Sequence, residues 1–298
     1  MKVGQLSVTL KHYDLINMNI VSYFPKGILK DLVDSILFLS GPGAATGIAF
    51  QRMHQVIIIN MGGNYTVSDI YAKDPVIKEC TDTIWINGKQ EIPFMLDNRG
   101  EAAMYAIGIK LGMLPFFADL PAIETNDITV GAEHWTSKAI FHLREQLMDC
   151  AEVRDGFLLI EAYLTRLLMK RDLAAVEKIR WLDKAIRNVT VEEICRSLGV
   201  TRKRLRSDAQ YYFGGSVKNI QGIIRFNRTL ADIAKNAHHT LSSVHEYYDQ
   251  SHFINDFKAR CGITPLQFKK LCLMHPAIKV TPNFISMQRE TFLQFISP

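Results

Sequence analysis

The feature that most constrains this chain is a change in hydrophobic period near Ser137. Before it, apolar residues come in short runs closed by Gly and Asn. After it, they recur at helical spacing. "HQVIIINMGG" (54–63) reads as a buried strand stopped by two glycines. "DTIWINGKQEIPFML" (82–96) reads as a hairpin turning at Asn87-Gly88, and "AAMYAIGIKLG" (102–112) as a further strand. "GPGAATG" (41–47) reads as a loop without dinucleotide-binding spacing. From Ser137 onward, two helices separated by Arg154-Asp155-Gly156 are expected, with Leu159, Tyr163 and Leu167 on one stripe. The pair could dock on the first part, link two parts or dimerise. The expected fold class is therefore α+β: a β-rich N-terminal domain, a helical linker and an all-α C-terminal domain.

Charge divides the chain in the same way. Residues 1–180 hold 18 Lys+Arg and 21 Asp+Glu, whereas residues 181–270 hold 15 and 8. A basic block of this kind suits a polyanionic partner. No apolar run is long enough to span a bilayer, and no apolar segment follows Lys2 as in a secretory signal. The five cysteines are scattered and never C-x-x-C, which favours free buried thiols in a reducing cytoplasm. No cofactor and no metal site are expected. His238, His239, His245 and His252 lack acids or thiols at ligand spacing. No nucleophile elbow, phosphate loop or paired catalytic carboxylates appear, so an enzyme is not expected. Trp85, Phe94, Tyr105, Phe116 and Phe117 could line a ligand pocket or simply fill a core.

Within the basic block, "NVTVEEICRSLGVTRKRLRSDAQYYFG" (188–214) spells a helix-turn-helix. Thr190 and Glu193 form a capping box, Gly199 stops the helix and Val200 occupies the turn. Thr201 caps a second helix on which Leu205 faces inward. That helix opens with Arg202, Lys203, Arg204 and Arg206, side chains able to hold phosphates or pair with guanine. A second unit follows in "YYDQSHFINDFKARCGITP" (247–265). Asp249 caps it, Phe253 and Phe257 point inward, and Gln250, Ser251, His252, Asn255, Lys258 and Arg260 occupy the other faces. Gly262 ends the helix and Thr264-Pro265 starts the next. The expected DNA-binding set is Arg202, Lys203, Arg204, Arg206, Lys218, Gln250, Ser251, His252, Asn255 and Lys258, with Lys218 and Lys258 placed on phosphates.

This second string resembles the end of the AraC/XylS transcription-regulator domain: Tyr247, Asp249, Gln250, Ser251, His252, Phe253, Phe257, Lys258, Gly262, Thr264, Pro265 and Phe268 match its signature. Gly199, Thr201, Leu205, Gly214, Ser216 and the Arg225-Phe226 pair extend the likeness back to about Leu182. Residues 108–130 resemble more loosely the β-rich N-terminal segment of some of these regulators. The resemblance implies two helix-turn-helix units joined by a long helix over about 217–236, each placing one helix in successive major grooves. It implies a bacterial, cytoplasmic, effector-responsive regulator with double-stranded DNA, a small-molecule effector and a second copy of the chain as partners. The implied organisation is 1–135 sensor, 136–176 helical linker, 177–270 DNA-binding domain and 271–298 an extension packed on a domain. Departures from the pattern are Ser207 and Ala209 in place of Arg and Phe, Val217 in place of Pro, and Glu246 in place of a turn Gly. The alternatives are a ligand- or protein-binding scaffold whose second unit has lost tight DNA binding, and an enzyme carrying a DNA-binding tail.

Overall fold

The computed structural model describes residues 10–15, 18–42, 46–53, 55–73, 78–80, 83–98, 100–135, 138–237, 249–275, 278 and 282–296. Its strands are β1 (Leu10–Leu15), β2 (Met18–Tyr23), β3 (Val33–Pro42), β4 (Gly47–Ala49), β5 (Gln55–Asn60), β6 (Tyr65–Asp69), β7 (Lys78–Cys80), β8 (Ile84–Asn87), β9 (Phe94–Asn98), β10 (Glu101–Ile109), β11 (Thr129–Gly131) and β12 (Phe284–Ile285). Seven of them form an antiparallel sheet in the order β1-β2-β3-β10-β5-β8-β11, and five form a second in the order β12-β4-β9-β6-β7. The helices are α1 (Ala139–Met148), α2 (Val153–Leu168), α3 (Leu173–Ile186), α4 (Val191–Leu198), α5 (Arg202–Phe213), α6 (Val217–Lys235), α7 (Gln250–Cys261), α8 (Pro265–Met274) and α9 (Arg289–Ile296). The architecture is α+β, with the β-rich part first.

The run "VIIIN" is apolar on both faces because the large sheet is covered on both faces. Ile58 packs with Trp85, Met104 and Ala106 against Tyr65 and Cys80 of the small sheet. Ile57 and Ile59 point the other way, into a core shared with the helices from α1 to the first half of α6. A second core joins the edge of the small sheet, through Ile48, Phe50 and Met95, to the rest of α6, α7, α8, β12 and α9. Helix α6 therefore belongs to both cores: Val217, Ile220, Ile223 and Ile224 lie in the first, and Phe226, Leu230 and Ile233 in the second.

Several local expectations differ from the structure. Residues 82–96 do not form a hairpin, because β8 and β9 belong to different sheets. Asn87-Gly88 is instead a crossing point, and Gly88 is needed because any Cβ there would lie 2.1 Å from the Thr125 hydroxyl. The break between the first two helices falls at 149–152, leaving Arg154, Asp155 and Gly156 inside the first turn of α2. A helical glycine is required at 156 because a Cβ would meet the Tyr105 hydroxyl at 2.0 Å. The core stripe of α2 is Phe157, Ile160, Leu164 and Leu168 with Tyr163, while Leu159 and Leu167 are half-buried. Residues 108–130 form only the end of β10, two 3₁₀ turns and β11. Of "GPGAATG", 43–45 lie outside the described residues and Gly41, Pro42 and Gly47 belong to strands. Helix α3 runs through the expected boundary at 176.

Candidate nucleic-acid interface

The first unit is built as its sequence dictates. Thr190 accepts from the Glu193 amide and Glu193 returns to the Thr190 amide, which starts α4. Gly199 ends it in the left-handed conformation at φ 62°, a geometry that costs an L side chain about 1 kcal/mol. Thr201 then caps α5 by accepting from Arg204 N at 3.2 Å. Leu205, Ala209 and Phe213 are buried, so Ala209, one of the departures from the resembled pattern, is a core position. Val217 is likewise buried.

The four expected cations of α5 are all exposed, but they differ in engagement. Arg202 is paired with Glu192. Arg204 Nε binds Asp208 at 2.9 Å, and the same buried carboxylate receives Lys178 Nζ at 3.2 Å. Lys203 and Arg206 have no ion pair among the described residues. Helical spacing from the buried stripe puts Lys203, Ser207, Gln210 and Tyr211 on the opposite face, and Tyr211 is exposed. Sequence reasoning did not place Gln210 and Tyr211 on this face, although the i+3 and i+4 steps from Ser207 lead to them.

Helix α7 is capped by Asp249, whose carboxylate accepts from His252 N at 2.7 Å. Phe253 and Phe257 are buried, and Phe257 packs edge-on to Phe226 of α6 at 5.3 Å. Gln250, Ser251, His252, Asn255 and Lys258 are exposed; Ser251, Asn255 and Lys258 make one stripe opposite the phenylalanines. Arg260 is a correction. It does not face outward with them but turns inward, with Nε on Asp256 at 3.0 Å and Nη1 on Gln51 at 2.8 Å. Lys218 is exposed in the first turn of α6. Residues 238–248, which include Glu246, Tyr247 and the first three expected histidines, lie outside the described residues.

The two units are held against the β-rich part by contacts that no local motif announces. Tyr212 stacks on Phe116 at 5.7 Å, and Asn126 Nδ2 donates to Gly214 O at 2.7 Å. Lys89, whose side chain is only 2% exposed, is paired with Glu91 and donates to Asn219 Oδ1 of α6 at 3.0 Å. At the other unit, Tyr71 donates its hydroxyl to Cys261 O at the end of α7. Burial pushes that hydroxyl's pKa well above the usual range, so it stays a donor. Asn283 donates to Gln51 O at 2.9 Å and is bonded to Asn227 of α6. Arg289 Nε donates to Ile70 O at 3.0 Å.

Of the five aromatics singled out in the β-rich part, Trp85 and Phe94 line a cavity of about 330 Å³. Tyr105, Phe116 and Phe117 fill the core beneath the helices instead.

No family model matches the chain, and no curated protein sequence matches it. Among solved structures it is similar to ToxT from Vibrio cholerae O395, with 16% identity and a TM-score of 0.39 over 76% of this chain and 92% of that one. Unsaturated fatty acid-bound wild-type ToxT from Vibrio cholerae strain SCE256 aligns at 12% identity and a TM-score of 0.39, over 86% of this chain and 96% of that one. The AraC-like transcriptional activator CuxR aligns at 12% identity and a TM-score of 0.27, over 72% and 90%. At identities and TM-scores this low, similarity assigns neither family nor function.

Proposed function

We propose that the chain is a sequence-specific double-stranded DNA-binding regulator of the AraC type, responsive to an effector through its β-rich part. The observation that supports this best is the pair of capped helices, α5 and α7. Each buries one apolar stripe and leaves a polar or cationic face exposed, and one helix, α6, joins the two units. Lys203 and Arg206 are the least engaged cations of α5 and the first candidates for base or phosphate contact; Ser251 and Asn255 are their counterparts on α7. Lys218 and Lys258 suit phosphates, which fix register without reading sequence.

One observation favours the second reading, a scaffold whose α7 no longer grips DNA: with Arg260 turned inward, Lys258 is the one cation of the α7 stripe among the described residues. Selection from random duplexes at moderate salt separates the two. The regulator reading expects an enriched motif and an affinity that falls steeply with salt, as released counterions require. Arg206→Ala and Asn255→Ala should each cost about 1–3 kcal/mol when the side chain reads a base, relaxing preference at one position. If Arg206→Ala alone has an effect, the scaffold reading holds for the second unit. If no motif is enriched, the regulator reading fails. Two spaced motifs would report a second copy of the chain.

A further inference from the structure

The cavity between the two sheets is apolar along most of its wall, with Ile58, Tyr65, Trp85, Phe94 and Met104 among its lining residues. One cation enters it. Arg52 is fixed by its main chain, which exchanges hydrogen bonds with Gln90 at 2.9 and 3.0 Å. Its guanidinium carbon stands 5.6 Å over the Phe94 ring. Its Nε is buried and has no hydrogen-bond partner. A buried donor without an acceptor is costly and uncommon in a native fold. Burial lowers the Arg52 pKa to about 10, which still leaves it a cation at neutral pH.

Two carboxylates line the same cavity, Asp69 and Asp127, and neither pairs with Arg52. Asp69 Oδ1 accepts the backbone amides of Tyr71 and Ala72 at 2.8 and 3.3 Å. Asp127 Oδ1 accepts those of Glu91 and Ile92 at 2.6 and 3.0 Å. The two acids hold loops, and the arginine is left over. Their charges also set the ligand class. They repel a dianion twice as strongly as a monoanion, and the single charge of Arg52 matches a single carboxylate.

We propose that this cavity binds a small organic acid, a single carboxylate on a compact apolar body, with Arg52 taking the carboxylate and Trp85 and Phe94 flanking the body. The inference deepens the effector-responsive reading and depends on it only for the output. The wall of the cavity is joined to the second unit. Phe284 of β12 lines it, and a Cβ on the facing Gly47 would lie 2.4 Å from the Phe284 ring, so this fit is close. The neighbouring Asn283 is bonded to α6, and Gln51, next to Arg52, accepts from Arg260 of α7. A ligand that draws on Arg52 therefore acts on the segment between β4 and β5 whose Gln51 is bonded to α7.

The test uses the full chain with phenylacetate, indole-3-acetate and octanoate, each beside its neutral amide, by titration calorimetry. At least one acid should bind, with its amide ten-fold or more weaker, and Arg52→Met should abolish that difference. The proposal is overturned if no acid binds at millimolar concentration, if acid and amide bind alike, or if Arg52→Met keeps the preference for the acid. Should Arg52→Met fail to fold, the wild-type acid-to-amide comparison and Arg52→Lys decide. Duplex affinity is then read with and without the acid. A change of several-fold that Gln51→Leu removes supports the link to α7, and a change that Gln51→Leu leaves intact overturns it. An acid that binds to a chain with no duplex preference defeats the regulator reading and leaves the site standing.

Discussion

At the scale of single residues, Gly262 carries two constraints at once. Its φ of 76° is left-handed, and a Cβ there would lie 2.2 Å from the Tyr71 ring. The first constraint is legible in the sequence, since a glycine after an amphipathic stretch marks a helix end. The second is not, because Tyr71 lies far away in the chain and their meeting depends on how α7 sits on the small sheet. The backbone penalty of about 1 kcal/mol then adds to displacement of Tyr71 and loss of its bond to Cys261 O. Gly262→Ala should therefore lower stability by more than Gly199→Ala, where a Cβ meets nothing within 4 Å. Urea denaturation of the two variants measures the difference, and equal losses would mean that Tyr71 yields without cost. Lys89 makes the same point. It sits in an unremarkable "NGKQE" stretch and is nevertheless a buried partner of α6.

At the scale of elements, the helix ends were readable and the helix faces were readable only in part. Thr190, Thr201, Asp249 and Thr264 all cap as their spacing predicts, because a cap is a local hydrogen bond. The α4 box also has a pH signature. Hydrogen bonds from the Thr190 side chain and backbone hold the Glu193 carboxyl below its ordinary 4.5. A depressed folded-state value means that this stabilisation is fully present above about pH 4.5 and is lost as pH falls through the lower value. Thr190→Ala should cost about 1 kcal/mol at pH 7, and the cost should shrink at pH 3. Urea unfolding at both pH values checks this, and a cost that does not change with pH would contradict it. Arg260, by contrast, carries a charge that suits solvent, yet it lies i+7 from Phe253 and i+3 from Phe257, on the side of α7 that faces the protein. It turns inward because Asp256 and Gln51 are there to receive it, and Gln51 comes from another element.

At the scale of the whole molecule, α6 is a member of both cores. The β-rich part and the helices α3 to α8 are thereby packed as one body rather than strung on a linker. Far-UV circular dichroism and tryptophan fluorescence should report a single coincident unfolding transition. Phe257→Ala, in the second core, should shift both probes together at a cost of about 3–5 kcal/mol. Separate transitions for the two probes would show the cores to be independent.

The sequence alone determined the α+β order, the capped helices and the identity of most exposed side chains on α5 and α7. Those features rest on hydrogen bonds within a few residues and on period, which are local. Tertiary structure alone decided that 82–96 crosses between sheets, that Gly156 lies within a helix, that Arg260 and Lys89 link distant segments and that the Arg52 Nε is buried without a hydrogen-bond partner. Each of those outcomes is set by an atom contributed from far along the chain, and no local spacing encodes where that atom will be.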